Sequence, residues 1–274
     1  RVVHFHNLES ELSFLQLQNS DALPQAFQRW VHRKNFEKLK IHEAELVELG
    51  RELWFLSPVD MAKFQRERGQ VGRQPECALL RLVPPTFSAE ISKWPGQVKG
   101  NTKHTILGLI GGFDFQPNID SAKWILDHLV PALEKSGFKG KVQIAGRSAQ
   151  SMISTIFKTH PQSKSPILEV LPDGFDVDVF FAGLSWMLVP HLSGSGVRIK
   201  LLDALSKKIP VMATPSAVER LHPELHEYPL IFSSDDPTLW ANRALGETPQ
   251  GTRLKYQDLA FPQAMCGTEI YRDV

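Results

Sequence analysis

Cysteine is nearly absent, with Cys77 and Cys266 the only two in 274 residues and far apart. That excludes a disulfide framework and a cysteine-based zinc pattern, and it suits a reducing compartment. An excess of one charge is lacking as well. Lys and Arg total 31 against 30 for Asp and Glu, a formal net charge of +1, so no global field draws the chain to nucleic acid. Long apolar runs are missing: the longest candidate, Val177 to Leu192, is interrupted by Asp178, Ser185 and His191 and does not make a membrane span. The phosphate-binding Gly-Lys-Ser/Thr loop is absent, and so are internal repeats and low-complexity tracts. The first residues do not read as a secretory leader. The chain opens at Arg1 directly into the strand-like Val2-Val3-His4-Phe5, which predicts further natural residues before Arg1.

From Ser92 onward, short apolar runs alternate with helical patterns. Thr105–Ile110, Lys141–Ala145, Ile167–Leu171, Ser185–Val189, Pro210–Ala213 and Leu230–Phe232 read as strands. Ile119–Lys135 carries Ile119, Ala122, Ile125, Leu126, Leu129 and Leu133 on one helical face, and Arg198–Lys207 reads as a second helix. This alternation predicts a parallel sheet covered on both faces, hence a Rossmann-like domain over residues 104–255. Residues 1–83 show strands at Val2–Phe5 and Leu53–Leu56, helices around Leu8–Leu17 and Phe36–Leu49, and a helix behind Asp60. Two strands are too few for a covered sheet, so this part reads as an incomplete first domain. The proline- and glycine-rich residues 84–103 read as a linker.

The most informative segment is Gly194 to Ala213, GSGVRIKLLDALSKKIPVMA, a glycine turn followed by an amphipathic helix and a buried strand. With the strand before it this is a βαβ unit whose turn lies at the carboxyl end of a sheet, where open α/β folds bind ligands. Arg198 and Lys200 fall at the helix start, where the macrodipole disfavours cations unless an anion docks there, and a phosphate is the usual one. They sit about 200° apart on a regular helix, so both reach one phosphate only if the helix begins after Arg198. The alternative is a solvated charge stack of Lys200, Asp203 and Lys207. Gly194-x-Gly196 lacks the third glycine of a dinucleotide fingerprint, and no acidic residue follows the next strand. His222-Pro-Glu-Leu-His226 has two histidines at i and i+4, but Pro223 and the missing third ligand argue against a metal. Trp30, His32, Arg33 and Lys34 read as a solvated helix face.

Gly194, Gly196, Arg198, Lys200, Asp203 and Ala204 stand in the register of the Gly-x-Gly-Thr-Arg-x-Lys-x-x-Glu-Ala signature, so the segment resembles the donor-sugar site of retaining glycosyltransferases of family 4. Asp203 replaces the usual Glu, and Ser193 stands where the family's upstream Glu is common. The resemblance extends to Phe5-His6-Asn7-Leu8-Glu9-Ser10, to Trp54 through Ser57-Pro-Val-Asp60, to Gly111-Gly112-Phe113 through Pro117-Asn118, to Thr214 through Glu219, and to Phe261–Arg272. It implies an α/β chain of GT-B architecture: two Rossmann-like domains, each with a parallel sheet, the first truncated, and residues 256–274 as a helix returning to the first domain.

Several roles follow from the resemblance. Gly111, Gly112, Gly194, Ser195 and Gly196 would lie beside the donor diphosphate, with Arg198 and Lys200 neutralising it as it departs. Asp203 would accept hydrogen bonds from the ribose, Asp173 would border the base, and His6 would face the donor sugar. Gly146-Arg147 is a weaker candidate than Gly112. The implied activity is metal-independent transfer of a sugar from a nucleotide-sugar to a hydroxyl of a glycan, lipid-linked or polysaccharide acceptor with retention, hexosyltransferase-like and without a cofactor. A cytoplasmic location, with peripheral association at the inner face of the membrane, is the matching expectation. Two alternatives stay open: an inactive nucleotide-sugar-binding protein and a GT-B sugar-nucleotide epimerase.

Overall fold

A computed structural model describes residues 2–5, 33–43, 45, 52–71, 79–83, 104–192 and 196–246. Among these, two all-parallel sheets form. The first has the order β1-β2-β3, from Val2–Phe5, Glu52–Phe55 and Leu79–Leu82. The third strand corrects the expectation of two. Leu79–Leu82 contains no β-branched residue, so local propensity is silent there, and parallel pairing with Glu52–Phe55 decides it. Leu53 and Phe55 are fully buried, packed against Met61 and Phe64. Phe64 lies on helix α1, Pro58–Val71, which starts directly behind β2. Residues 33–43 are helical, so the helix expected around Phe36–Leu49 begins earlier, by residue 33, and Arg33 and Lys34 are exposed and paired with Glu37, as a solvated face requires.

The second sheet joins β4 (Ile106–Ile110), β5 (Lys141–Ala145), β6 (Leu168–Val170), β7 (Trp186–Val189), β8 (Val211–Ala213) and β9 (Ile231–Ser233) in the order β6-β5-β4-β7-β8-β9. Numbered within the sheet this is 3-2-1-4-5-6, the doubly wound order, whose connections diverge to opposite faces between its first and fourth strands. Each strand lies within the segment expected for it, apart from the last residue of β9. Both faces are covered, as the uninterrupted burial of Trp186–Val189 requires. Trp186 and Leu188 belong to one core, with Leu126, Leu129 and Trp240 from the helices on that side. Met187 and Val189 point into the other, with Phe180, Leu201 and Leu205.

The expected helix Ile119–Lys135 is longer and interrupted. It runs as α2 (Gln116–Trp124), a π-helical turn at Ile125–Leu129, and α3 (Val130–Lys135). Val130 N–H bonds the Ile125 carbonyl, an i to i−5 link. Pro131 explains it: the ring has no N–H to give and crowds the carbonyl four residues back, so the turn widens instead of breaking. After β5 come α4 (Ala149–Thr155) and, following β6, α5 (Val177–Gly183). α6 (Ile199–Ser206) follows β7, α7 (Pro215–Val218) follows β8 and α8 (Pro237–Gly246) follows β9.

Two glycine turns approach each other at the carboxyl ends of β4 and β5. Gly146 has φ of 125°, and a Cβ there would stand 2.0 Å from the Gly111 carbonyl oxygen. Only glycine meets both conditions. Gly146→Ala is therefore expected to destabilise the protein by at least about 1–3 kcal/mol, while Gly183→Ala, with open space around its Cβ, should leave stability unchanged or raised. Urea unfolding of the two variants checks this; equal midpoints would contradict it.

Candidate functional site at the switch point

The loops leaving β4 and β7 flank the crevice where the sheet order reverses. Gly111 N–H donates to the Ala145 carbonyl at 3.0 Å, tying the first loop to β5. Asn118, in the first turn of α2, donates from Nδ2 to the Gly112 carbonyl at 2.8 Å. Across the crevice Lys200 Nζ donates to Asn118 Oδ1 at 2.7 Å. Gly112, Asn118 and Lys200 thus form one hydrogen-bonded chain across the switch point.

Arg198 is the residue before α6, with φ −84° and ψ 88°, so the helix does begin after it. The expected Arg198–Lys207 helix is corrected by one residue at each end, and the later start meets the condition for both cations to serve one anion. The Arg198 side chain makes no capping hydrogen bond to α6. Its first backbone N–H groups have no helical acceptor ahead of them. Burial, followed by the nearby Arg198 charge, lowers the Lys200 ammonium to about 8. Among the described residues no carboxylate pairs with Lys200. Lys200 does not join a solvated stack with Asp203 and Lys207: it bonds Asn118, and the Lys207 ammonium lies 5.0 Å from the Phe181 ring centroid. Asp203 is half-buried in the middle of α6, and burial raises its carboxyl above the ordinary range against the pull of Lys207.

The turn before α6 is held by a residue that sequence reasoning met only as part of a helix start. Gly196 has φ of 77°, the left-handed region that favours glycine, and its N–H donates to Asp60 Oδ2 at 2.8 Å. Asp60 Oδ1 accepts from Arg220 Nη1 at 3.0 Å. Both side chains are buried, at 3% and 8% exposure for the residues. Asp60 belongs to the first turn of α1, so this contact joins the element behind the first sheet to two loops at the carboxyl end of the second. Thr214 and Ser216 add a further anchor. Both hydroxyls donate to the carbonyl of His191, where the chain leaves β7 for the glycine turn, Thr214 at 2.5 Å.

The other expected residues fall as follows. Gly111 and Gly112 follow β4 at the crevice, and a Cβ on either would press within 3.0 Å of a neighbouring side chain, Asn118 for Gly111 and Asp114 for Gly112. Asp173 is exposed in the turn after β6, two strands from β4 and so about 10 Å to the side. Arg147 is exposed and bonds Asp114 through Nη2 at 2.7 Å. His6, Gly194 and Ser195 lie outside the described residues. Among those described, no group of three or more His, Cys, Asp or Glu is placed to hold a metal, and no helix is long and apolar enough to cross a membrane. His226 Nε2 lies 3.2 Å from the Leu221 carbonyl. Asn118 and Arg220 were missed as site residues. Asn118 carried a signal, as the Asn of Pro117-Asn118 after the Gly-Gly turn; Arg220 carried none.

No protein-family model matches the chain, and no curated protein sequence matches it significantly. Solved structures do. The UDP-forming α,α-trehalose-phosphate synthase from Burkholderia xenovorans aligns over 81% of this chain and 58% of its own, with 12% identity and a TM-score of 0.55. WaaG, a glycosyltransferase of lipopolysaccharide biosynthesis, aligns over 96% of this chain and 72% of its own, with 15% identity and a TM-score of 0.57. HepE from Anabaena, solved with UDP and glucose, aligns over 92% of this chain and 63% of its own, with 14% identity and a TM-score of 0.56. The chain thus spans under two thirds of the trehalose-phosphate synthases it matches. The fold is α/β of GT-B architecture, with parallel sheets like those of these glycosyltransferases.

The Asp60 pair makes a direct prediction. Removing one partner of a buried ion pair strands the other, so Asp60→Asn should cost about 3–5 kcal/mol of stability. Replacing both residues, as in Asp60→Asn with Arg220→Met, should recover part of that loss. Urea unfolding of the three proteins measures it, and a double variant no more stable than the single one would show that the pair is not the source.

Proposed function

We propose that the crevice between β4 and β7 binds the diphosphate of a nucleotide-sugar and that the protein transfers the sugar to a hydroxyl acceptor with retention. One observation carries the reading: Arg198 and Lys200 stand at the start of α6 at the switch point, and the Lys200 ammonium is held there by the neutral amide of Asn118, with no carboxylate paired to it among the described residues. Two cations and a helix N-terminus in one crevice raise one another's energy until an anion arrives. The likeness to glycosyltransferases of the same fold, one of them solved with UDP and glucose, supports the choice of anion.

In this reading the bond between the anomeric carbon and the diphosphate oxygen breaks while Arg198 and Lys200 hold the charge that develops on the leaving group, the work a metal performs in other sites. The acceptor hydroxyl attacks from the same face, and its proton passes to the departing phosphate oxygen beside it. Gly111, Gly112, Gly194, Ser195 and Gly196 line the diphosphate side. Gly196 does so through its conformation, since its N–H is engaged by Asp60. Asp203 meets the ribose, Asp173 borders the base, and His6 faces the sugar. The acceptor is a glycan, a lipid-linked sugar or a polysaccharide, met at the inner face of the membrane. No cofactor enters the reaction.

Calorimetry of the whole chain with uridine, guanosine, adenosine and thymidine diphosphates tests the donor site. Binding of at least one is expected, and no heat from any would refute the assignment. Lys200→Ala should cost the diphosphate about 1.5–3 kcal/mol and the free nucleoside little, because a charge-assisted hydrogen bond is lost only where phosphate is present. The pH dependence has a definite sign. Lys200 must be protonated to hold the anion, so affinity should fall as pH rises through about 8, where the terminal phosphate is already fully ionised. Titrations between pH 7 and 9.5 should show that fall in the wild type and not in Lys200→Ala. A parallel fall in both would remove Lys200 from the site.

A further inference from the structure

Lys200 and Gly112 belong to the two connections that part at the switch point, and a single side chain joins them. Asn118 offers one acceptor and one donor on the same carbon, and both are used: Oδ1 toward the Lys200 ammonium, Nδ2 toward the Gly112 carbonyl. The partners fix the amide's orientation, since an ammonium only donates and a carbonyl only accepts. Gly111 packs against the same group, where a Cβ would come within 2.9 Å of the Asn118 side chain. Aspartate, its nearest isostere, would turn a carboxylate oxygen onto the Gly112 carbonyl and neutralise Lys200.

We propose that Asn118 is a positioning residue for the diphosphate site: it aims Lys200 across the crevice through a neutral acceptor and so leaves the ammonium's full charge for the incoming anion. The inference rests on the diphosphate reading given above. A neutral acceptor holds an ammonium less strongly than a carboxylate does in a partly buried setting, so a phosphate oxygen competes for Lys200 on favourable terms. The buried carboxylate nearby in the same architecture, Asp60, is committed to the Gly196 N–H and to Arg220. The protein thus supplies its anion to the glycine turn and withholds one from Lys200.

The experiment is calorimetry of the whole chain with whichever of the four nucleoside diphosphates binds the wild type most tightly, on Asn118→Ala and Asn118→Asp, with urea unfolding of each. Asn118→Asp is expected to weaken binding at least tenfold more than Asn118→Ala, with urea unfolding confirming that each variant is folded where it is titrated. If Asn118 only ties the two connections together, Asn118→Asp, which keeps an acceptor for Lys200, will bind as well as Asn118→Ala or better, and the proposal falls. A second measurement stands even if Asn118→Asp does not fold. In a Lys200→Ala background, Asn118→Ala should change affinity less than twofold, because nothing remains to be aimed; its full effect persisting there would overturn the assignment. A wild type that binds none of the four nucleotides refutes the diphosphate site itself, a result separate from any ordering among the variants.

Discussion

The carboxylate of Asp60 is the point on which the rest of the architecture depends. A carboxylate buried to this degree carries a desolvation cost of several kcal/mol unless each oxygen is met by a good donor. Here one oxygen takes the Gly196 N–H and the other the Arg220 guanidinium. The three groups come from α1, from the turn after β7 and from the loop after α7, so the cost is met only when the element behind the first sheet is seated against the second. Seating also holds Gly196 in its left-handed conformation, which sets the direction in which the chain enters α6.

The opposite arrangement a few residues on gives the crevice its chemistry. Arg198 and Lys200 sit at the positive end of α6, and among the described residues Lys200 hydrogen-bonds the neutral amide of Asn118. Burial, with the nearby Arg198 charge second, lowers the Lys200 ammonium to about 8. The buried Asp60 meets a cation, whereas among the described residues Lys200 meets no carboxylate. That contrast distinguishes the two ends of one short loop, and it is the reason the crevice is read as an anion site.

The fold was legible because hydrophobic period and strand spacing are local signals. The strands of the second sheet lie almost entirely where apolar runs of about five residues sit between helical patterns. The exceptions have definite causes. Leu79–Leu82 lacks the β-branched residues that mark a strand, and Pro131 lies in a pattern whose apolar stripe continues through it, so the widened turn leaves no trace in the periodicity.

Local sequence determined which segments become strands and helices, that the sheets are parallel, and that a glycine turn with two cations starts an amphipathic helix, because each follows from residues within a few positions of one another. It also placed Gly111 and Gly112 at a strand end and Lys200 at a helix start. Tertiary structure alone decided that Lys200 meets Asn118, 82 residues away, and that Asp60 reaches Gly196 and Arg220 across 136 and 160 residues. Contacts over such separations are set by the order in which strands assemble, and no periodicity along the chain encodes which loop end will face which.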